Sequence, residues 1–173
     1  MKLFYLLFIC ISPTIIQAQV SEVKEKLESS IKLLEEAFKE IKLATSKMED
    51  CENSRAIDHV RRCSEDVRDF LSTANGKIGF AKNEAYLAHK EASDINCSET
   101  EKKTDKAKGY FKDAEWKISS ATKELRRVRY GAEVDKLKQY MLYANDYINQ
   151  ALIRLNYASN ELYHSILAAE DCI

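Results

Sequence analysis

The sequence predicts an all-α fold, an elongated antiparallel four-helix bundle with heptad-like packing and disulfide staples. Three observations carry that prediction. Apolar residues recur at seven-residue spacing through almost the whole chain beyond position 20. The 173 residues include four glycines and a single proline, Pro13, so a turn-rich β-architecture lacks its punctuation. Five cysteines are present, and four of them, Cys51, Cys63, Cys97 and Cys172, fall at or within a few turns of the ends of the periodic segments. With 27 basic against 28 acidic residues, the chain is neither a histone-like basic protein nor an acidic disordered tail.

Taken in order, residues 1–18 read as a secretory signal peptide. Lys2 gives a short positive region, Leu3 to Ile11 (LFYLLFICI) form an apolar run, and Gln17 and Ala18 precede an expected cut before Gln19. That run is too short to span a bilayer comfortably. Cleavage removes Lys2 and Cys10 and leaves Cys51, Cys63, Cys97 and Cys172. Residues 19–173 are expected to form a single helical-bundle domain, secreted and extracellular, without a stable membrane anchor.

The first helix is expected over about 21–50. Leu27, Leu34, Ile41 and Met48 form one column and Ile31, Phe38 and Thr45 the second, with Ala37 and Ala44 widening the stripe. The second spans about 54–95, with columns Ile57, Ser64, Leu71, Ile78, Ala85, Ala92 and Val60, Val67, Ala74, Ala81, Ala88, Ile95. Asn75, Gly76 and Gly79 interrupt it chemically, but the apolar phase runs through them. A continuous helix is therefore favoured over a kink, at about 1 kcal/mol per glycine relative to alanine. The third spans about 98–129, on Thr104, Phe111, Ile118, Leu125 and Ala107, Ala114, Ala121, Val128, and Ser98 with Glu101 reads as a capping box at its start. Gly131 marks a turn. The fourth spans about 132–172, on Val134, Met141, Ile148, Leu155, Leu162, Ala169 and Leu137, Ala144, Ala151, Ala158, Ser165, Cys172. Short connections between comparable amphipathic segments favour an antiparallel bundle over an intermolecular coiled coil. The second helix would be about 60 Å long at 1.5 Å per residue.

Four cysteines allow three pairings. In an up-down-up-down bundle the turn near 97 shares an end with Cys172, while Cys51 and Cys63 share the other. Cys51–Cys63 and Cys97–Cys172 are the favoured pairs. The first requires the segment before the second helix to fold back, or that helix to begin nearer Asp58. Asn96-Cys97-Ser98 is a formal acceptor for N-glycosylation in a predicted turn.

No constellation for catalysis emerges. Glu161-x-x-His164 has the spacing of a diiron bundle ligand pair, but no second such pair occurs. The chain lacks a Gly-x-Ser-x-Gly elbow and a glycine-rich phosphate loop. The expectation is a protein that is not an enzyme and carries no cofactor or metal. Arg61 and Arg62, with Arg126, Arg127 and Arg129, are a candidate anion patch near one end. Specific nucleic-acid binding is not expected, because aromatic and basic residues do not interleave. Trp116, Phe80, Leu87, Tyr143 and Tyr157 lie off the inward columns and are the candidate partner-binding residues.

The functional expectation is a secreted interaction protein that binds an extracellular protein or glycan through its outer helical face. Two alternatives stand beside it. One is a carrier of a lipid or other small apolar ligand, and the other is a self-assembling structural coiled-coil protein.

Overall fold

The apolar stripes meet one another in four helices: α1 (Pro13–Glu52), α2 (Ile57–Asp94), α3 (Ser98–Val128) and α4 (Val134–Glu170). They are seen in a computed structural model that describes residues 13–172. The helices follow one another around the bundle. α1 packs most extensively on α2, and α3 on α4. The α2/α3 seam is lighter, the α1/α4 seam lighter still, and the α2/α4 diagonal is slight. Two tight helical hairpins thus lie side by side around one core.

Both inward columns of α3 are buried along their whole length. Those of α2 and α4 are buried apart from terminal positions such as Ile57, Ile95, Val134 and Cys172, which are half-buried. Alanine dominates the column Ala74, Ala81, Ala88 on α2 and Ala144, Ala151, Ala158 on α4, all fully buried. Small side chains let the backbones approach closely, and Leu71, Ile78, Phe111, Met141 and Ile148 fill the space between. α2 is unbroken across Gly76 and Gly79, because the buried stripe on both sides holds them in one helix.

Three features differ from the sequence expectation. First, the second inward column of α1 is Val23, Ser30, Ala37, Ala44 and Cys51, all fully buried, while Ile31, Phe38 and Thr45 are half-buried. Close approach to α2 selects the small residues for the interior, and the larger ones move to the flank towards α4. That flank is identified by Lys24, seven residues before Ile31, which pairs with Glu170 of α4 at 2.7 Å. Second, α1 begins at Pro13 rather than near Ser21. Proline is accepted in a first helical turn, and the stripe continues upstream through half-buried Ile16 and buried Val20 and Val23. The leader expected over 1–18 lies outside the described residues up to position 12. Third, Ser98 and Glu101 make no capping box. The N-cap of α3 is Cys97, no side chain caps the helix, and the Cys97 carbonyl accepts from the Glu101 N–H at 3.0 Å.

Both disulfides form as the topology requires, Cys51–Cys63 and Cys97–Cys172, each with 5.7 Å between Cα atoms. α2 starts at Ile57, which satisfies the first pair. At the other end Asn96 turns the chain with φ of 58°, a left-handed conformation that asparagine tolerates better than most residues. Polar residues inside the core are matched. Ser30 donates to the Ala81 carbonyl of α2 at 2.7 Å, and Ser64, Thr104 and Ser165 donate to carbonyls of their own helices. The Gly131 turn is tight for a different reason. A Cβ there would collide with the Leu137 side chain, and the Gly131 carbonyl accepts from Arg61 at 2.8 Å.

Candidate interaction surface

A heptad helix has two flanks and an outermost column, and ion pairs reveal which neighbour each flank meets. On α3 the flank carrying Lys103, Tyr110, Lys117 and Glu124 turns to α4, since Lys103 lies 4.0 Å from Glu161. The facing flank of α4 carries Tyr140, Tyr147, Arg154 and Glu161. Aromatic residues gather along this seam. Trp116 meets Tyr147 edge to face with ring centres 6.4 Å apart, and the Lys117 ammonium sits 4.5 Å from the Trp116 ring centre. Further along, Tyr110 and Tyr157 lie 5.4 Å apart. Towards the other end the Arg127 guanidinium covers Tyr140. Trp116 is 58% exposed, and Tyr143 and Tyr157 are each 47% exposed. Seams of this kind combine rigid aromatic area with polar tips.

Trp116 and Tyr157 therefore belong to one strip, with Tyr143 at its outer edge. Phe80 and Leu87 do not. They continue the α2 column of Asp66, which pairs with Lys47 of α1 at 3.3 Å, so they lie on the α1 side of the bundle. Phe80 is exposed and Leu87 half-buried. Tyr110 escapes a reading of the sequence for partner-binding positions, and Tyr147 reads there only as a residue flanking the seam of the fourth helix, because half-burial at a seam is set by the neighbouring helix.

The candidate anion patch is drawn together only in part. Arg61, Arg62 and Arg129 line one shallow depression, but Asp58 and Glu65 line it too. Arg127 lies at a neighbouring one with Tyr130, Lys136 and Tyr140. Three of the arginines already have partners, among them Arg62, whose Nε donates to the Asp58 carbonyl at 3.3 Å. Arg61 binds the Gly131 carbonyl and lies 3.6 Å from Asp58, and Arg127 is 2.9 Å from both oxygens of Glu124. Arg126 is exposed. Acidic and basic residues thus alternate at this end of the bundle.

Elsewhere acids pair with lysines, some across helices and some within one. Lys77 of α2 holds Glu36 below the ordinary carboxylate range by hydrogen bond and charge, and Lys108 does the same to Asp105. Glu91 is pushed up, first by burial and then by the charge of Glu22. Glu161 faces Lys103 and Lys106, while His164 is exposed beside Tyr163. Among the described residues no three His, Cys, Asp or Glu side chains converge as a metal site, and no helix is long and apolar enough to cross a membrane.

The fold and surface define a four-helix bundle cross-linked by two disulfides, with an aromatic seam between α3 and α4. Comparison with family models, with curated proteins and with solved structures gave no match to this chain.

Proposed function

We propose that the chain is a secreted, non-enzymatic interaction protein that binds an extracellular macromolecular partner, a protein or a glycan, through the α3/α4 aromatic strip. The observation that carries this reading is the gathering of Trp116, Tyr147, Tyr110 and Tyr157 from two helices into one partly exposed line. Tryptophan and tyrosine supply large contact area with few rotatable bonds, and they dominate binding energy in protein interfaces. Two disulfides and the apolar leader expected at the N-terminus support an oxidising, extracellular setting.

The test uses the oxidised chain and its single tryptophan. Affinity capture from extracellular fluids identifies partners, and Trp116 emission reports docking directly. A bound partner should shift the emission to shorter wavelength. Trp116→Ala with Tyr157→Ala should weaken capture at least about tenfold, the size of one lost hot spot. Equal capture by the folded double variant would refute the strip.

A further inference from the structure

The outermost surface of α4 differs from those of the other helices. Between Gln139 and Leu167 its only Asp, Glu, Lys or Arg residues are Asp146, Arg154 and Glu161. Arg154 and Glu161 turn to α3, Arg154 lying 3.8 Å from Asp113 and Glu161 3.9 Å from Lys106. What faces solvent, away from α3, is Leu142 (60% exposed), Ile153 (51%), Tyr163 (59%) and Leu167 (44%), separated by exposed Asn149, Asn156 and Asn160. Asp146 is the one carboxylate on this surface. α1, α2 and α3 by contrast carry lysines and acids along their outer columns.

The arrangement along α4 is close to palindromic about Ile153. In an antiparallel pair of helices, outermost positions meet outermost positions and each flank meets the same flank of its partner. A two-fold axis through Ile153 then sets Ile153 against its own copy and Leu142 against Tyr163 of the second copy. The same axis sets Asn149 against Asn156 and Asp146 against Asn160. Ile153 meets itself and Leu142 meets Tyr163, amides meet amides, the carboxylate of Asp146 meets an amide donor, and Leu167 lies against the stem of Gln139. Between Gln139 and Leu167 no like charges oppose one another, as a self-complementary two-fold interface requires, and at the outer ends Asp135 falls opposite Glu170, whose charge Lys24 offsets at 2.7 Å. The exposed area of these side chains, on the order of 700 Å² per copy, is the most that pairing can bury, against the roughly 800 Å² per partner of a standard interface.

We infer that the chain pairs with a second copy of itself through the outer face of α4, antiparallel about Ile153. This goes beyond the aromatic strip, which stays open on the α3 side, so the dimer presents two strips and can bind an extended partner bivalently.

Sedimentation of the full oxidised chain from about 1 to 100 μM tests the pairing, in the range of modest standard-size interfaces. The wild type should approach twice the monomer mass. Ile153→Glu places two carboxylates against each other on the axis, and it should raise the dissociation constant about 100-fold with helicity unchanged. Ile153→Cys should yield a disulfide-linked dimer on mild oxidation, while Leu43→Cys, half-exposed on α1, should not. A wild type that is monomeric throughout overturns the pairing, and so does an Ile153→Glu dimer as tight as wild type. Equal cross-linking of the Leu43→Cys and Ile153→Cys variants would overturn it as well. Trp116 emission with a captured partner is read on the Ile153→Glu monomer, so loss of the dimer and failure of the strip are separate results.

Discussion

Replacing Cys97 and Cys172 together by alanine should be the most damaging change available at either end of the bundle. The bond closes a loop of 75 residues in sequence separation, against 12 for Cys51–Cys63. Loop-closure entropy at 25 °C gives about 4.5 kcal/mol for the longer loop and about 2.8 kcal/mol for the shorter. The 97–172 bond also ties the C-terminus of α4 to the start of α3, where Cys97 is the N-cap and no side chain caps the helix. For a chain of this size a loss of about 4.5 kcal/mol lowers Tm by roughly 9–18 °C. Guanidinium unfolding followed by circular dichroism, with both alanine pairs compared to wild type, measures the difference. Hydrogen exchange should place the new fraying in Leu162–Glu170 and leave α1 and α2 protected. A loss under about 1 kcal/mol for the 97–172 pair, with native helicity, would contradict the chain-entropy account of how this staple restrains the unfolded chain.

Two glycines should respond in opposite directions. Gly76→Ala meets open space inside a helix and should stabilise by up to about 1 kcal/mol, whereas Gly131→Ala drives a methyl into buried Leu137 and should cost about 1–3 kcal/mol, both read by thermal unfolding. Glu91→Gln should raise stability slightly at pH 7 and leave it unchanged at pH 4. Its carboxyl is pushed above the usual 4.5 by burial and Glu22, so the ionised form disfavours the fold, and that penalty sets in as pH rises from the unfolded value through the folded one; equal gains at both pH values would contradict it. Glu36 and Asp105, held low by Lys77 and Lys108, act in the reverse sense, and their contribution should be lost as pH falls through the acid range. Asn96 is exposed on its turn, so expression through a secretory pathway should give a glycosidase-sensitive mass increase that Asn96→Gln removes.

Much of this architecture is legible in the sequence because the determining interactions are periodic or topological. Seven-residue spacing orients each helix to within a fraction of a turn, and antiparallel order then brings Cys97 to Cys172. Phe111, Ile118 and Leu125 are recognisable as core because their helix has no comparable alternative face. The second column of α1 is a closer choice. Val23, Ser30 and Ala37 lie beside Ile31 and Phe38 on adjacent stripes, and hydrophobicity alone favours the larger residues. Only the distance to α2, set by alanines on both helices, decides that the small ones go inside.

The surface divides in the same way. Exposure of Trp116, Phe80 and Tyr143 follows from their places outside the inward columns, but the sequence cannot assign them to a common surface. The rotation of α3 against α4 brings Trp116 to Tyr147 and Tyr110 to Tyr157, and it leaves Phe80 on the far side of the bundle. The sequence by itself determined that four helices form, which faces are apolar and which cysteines pair, because these depend on residue type and spacing along one chain. The tertiary structure alone decided which flanks become neighbours, since that depends on the sizes of side chains contributed by two helices at once.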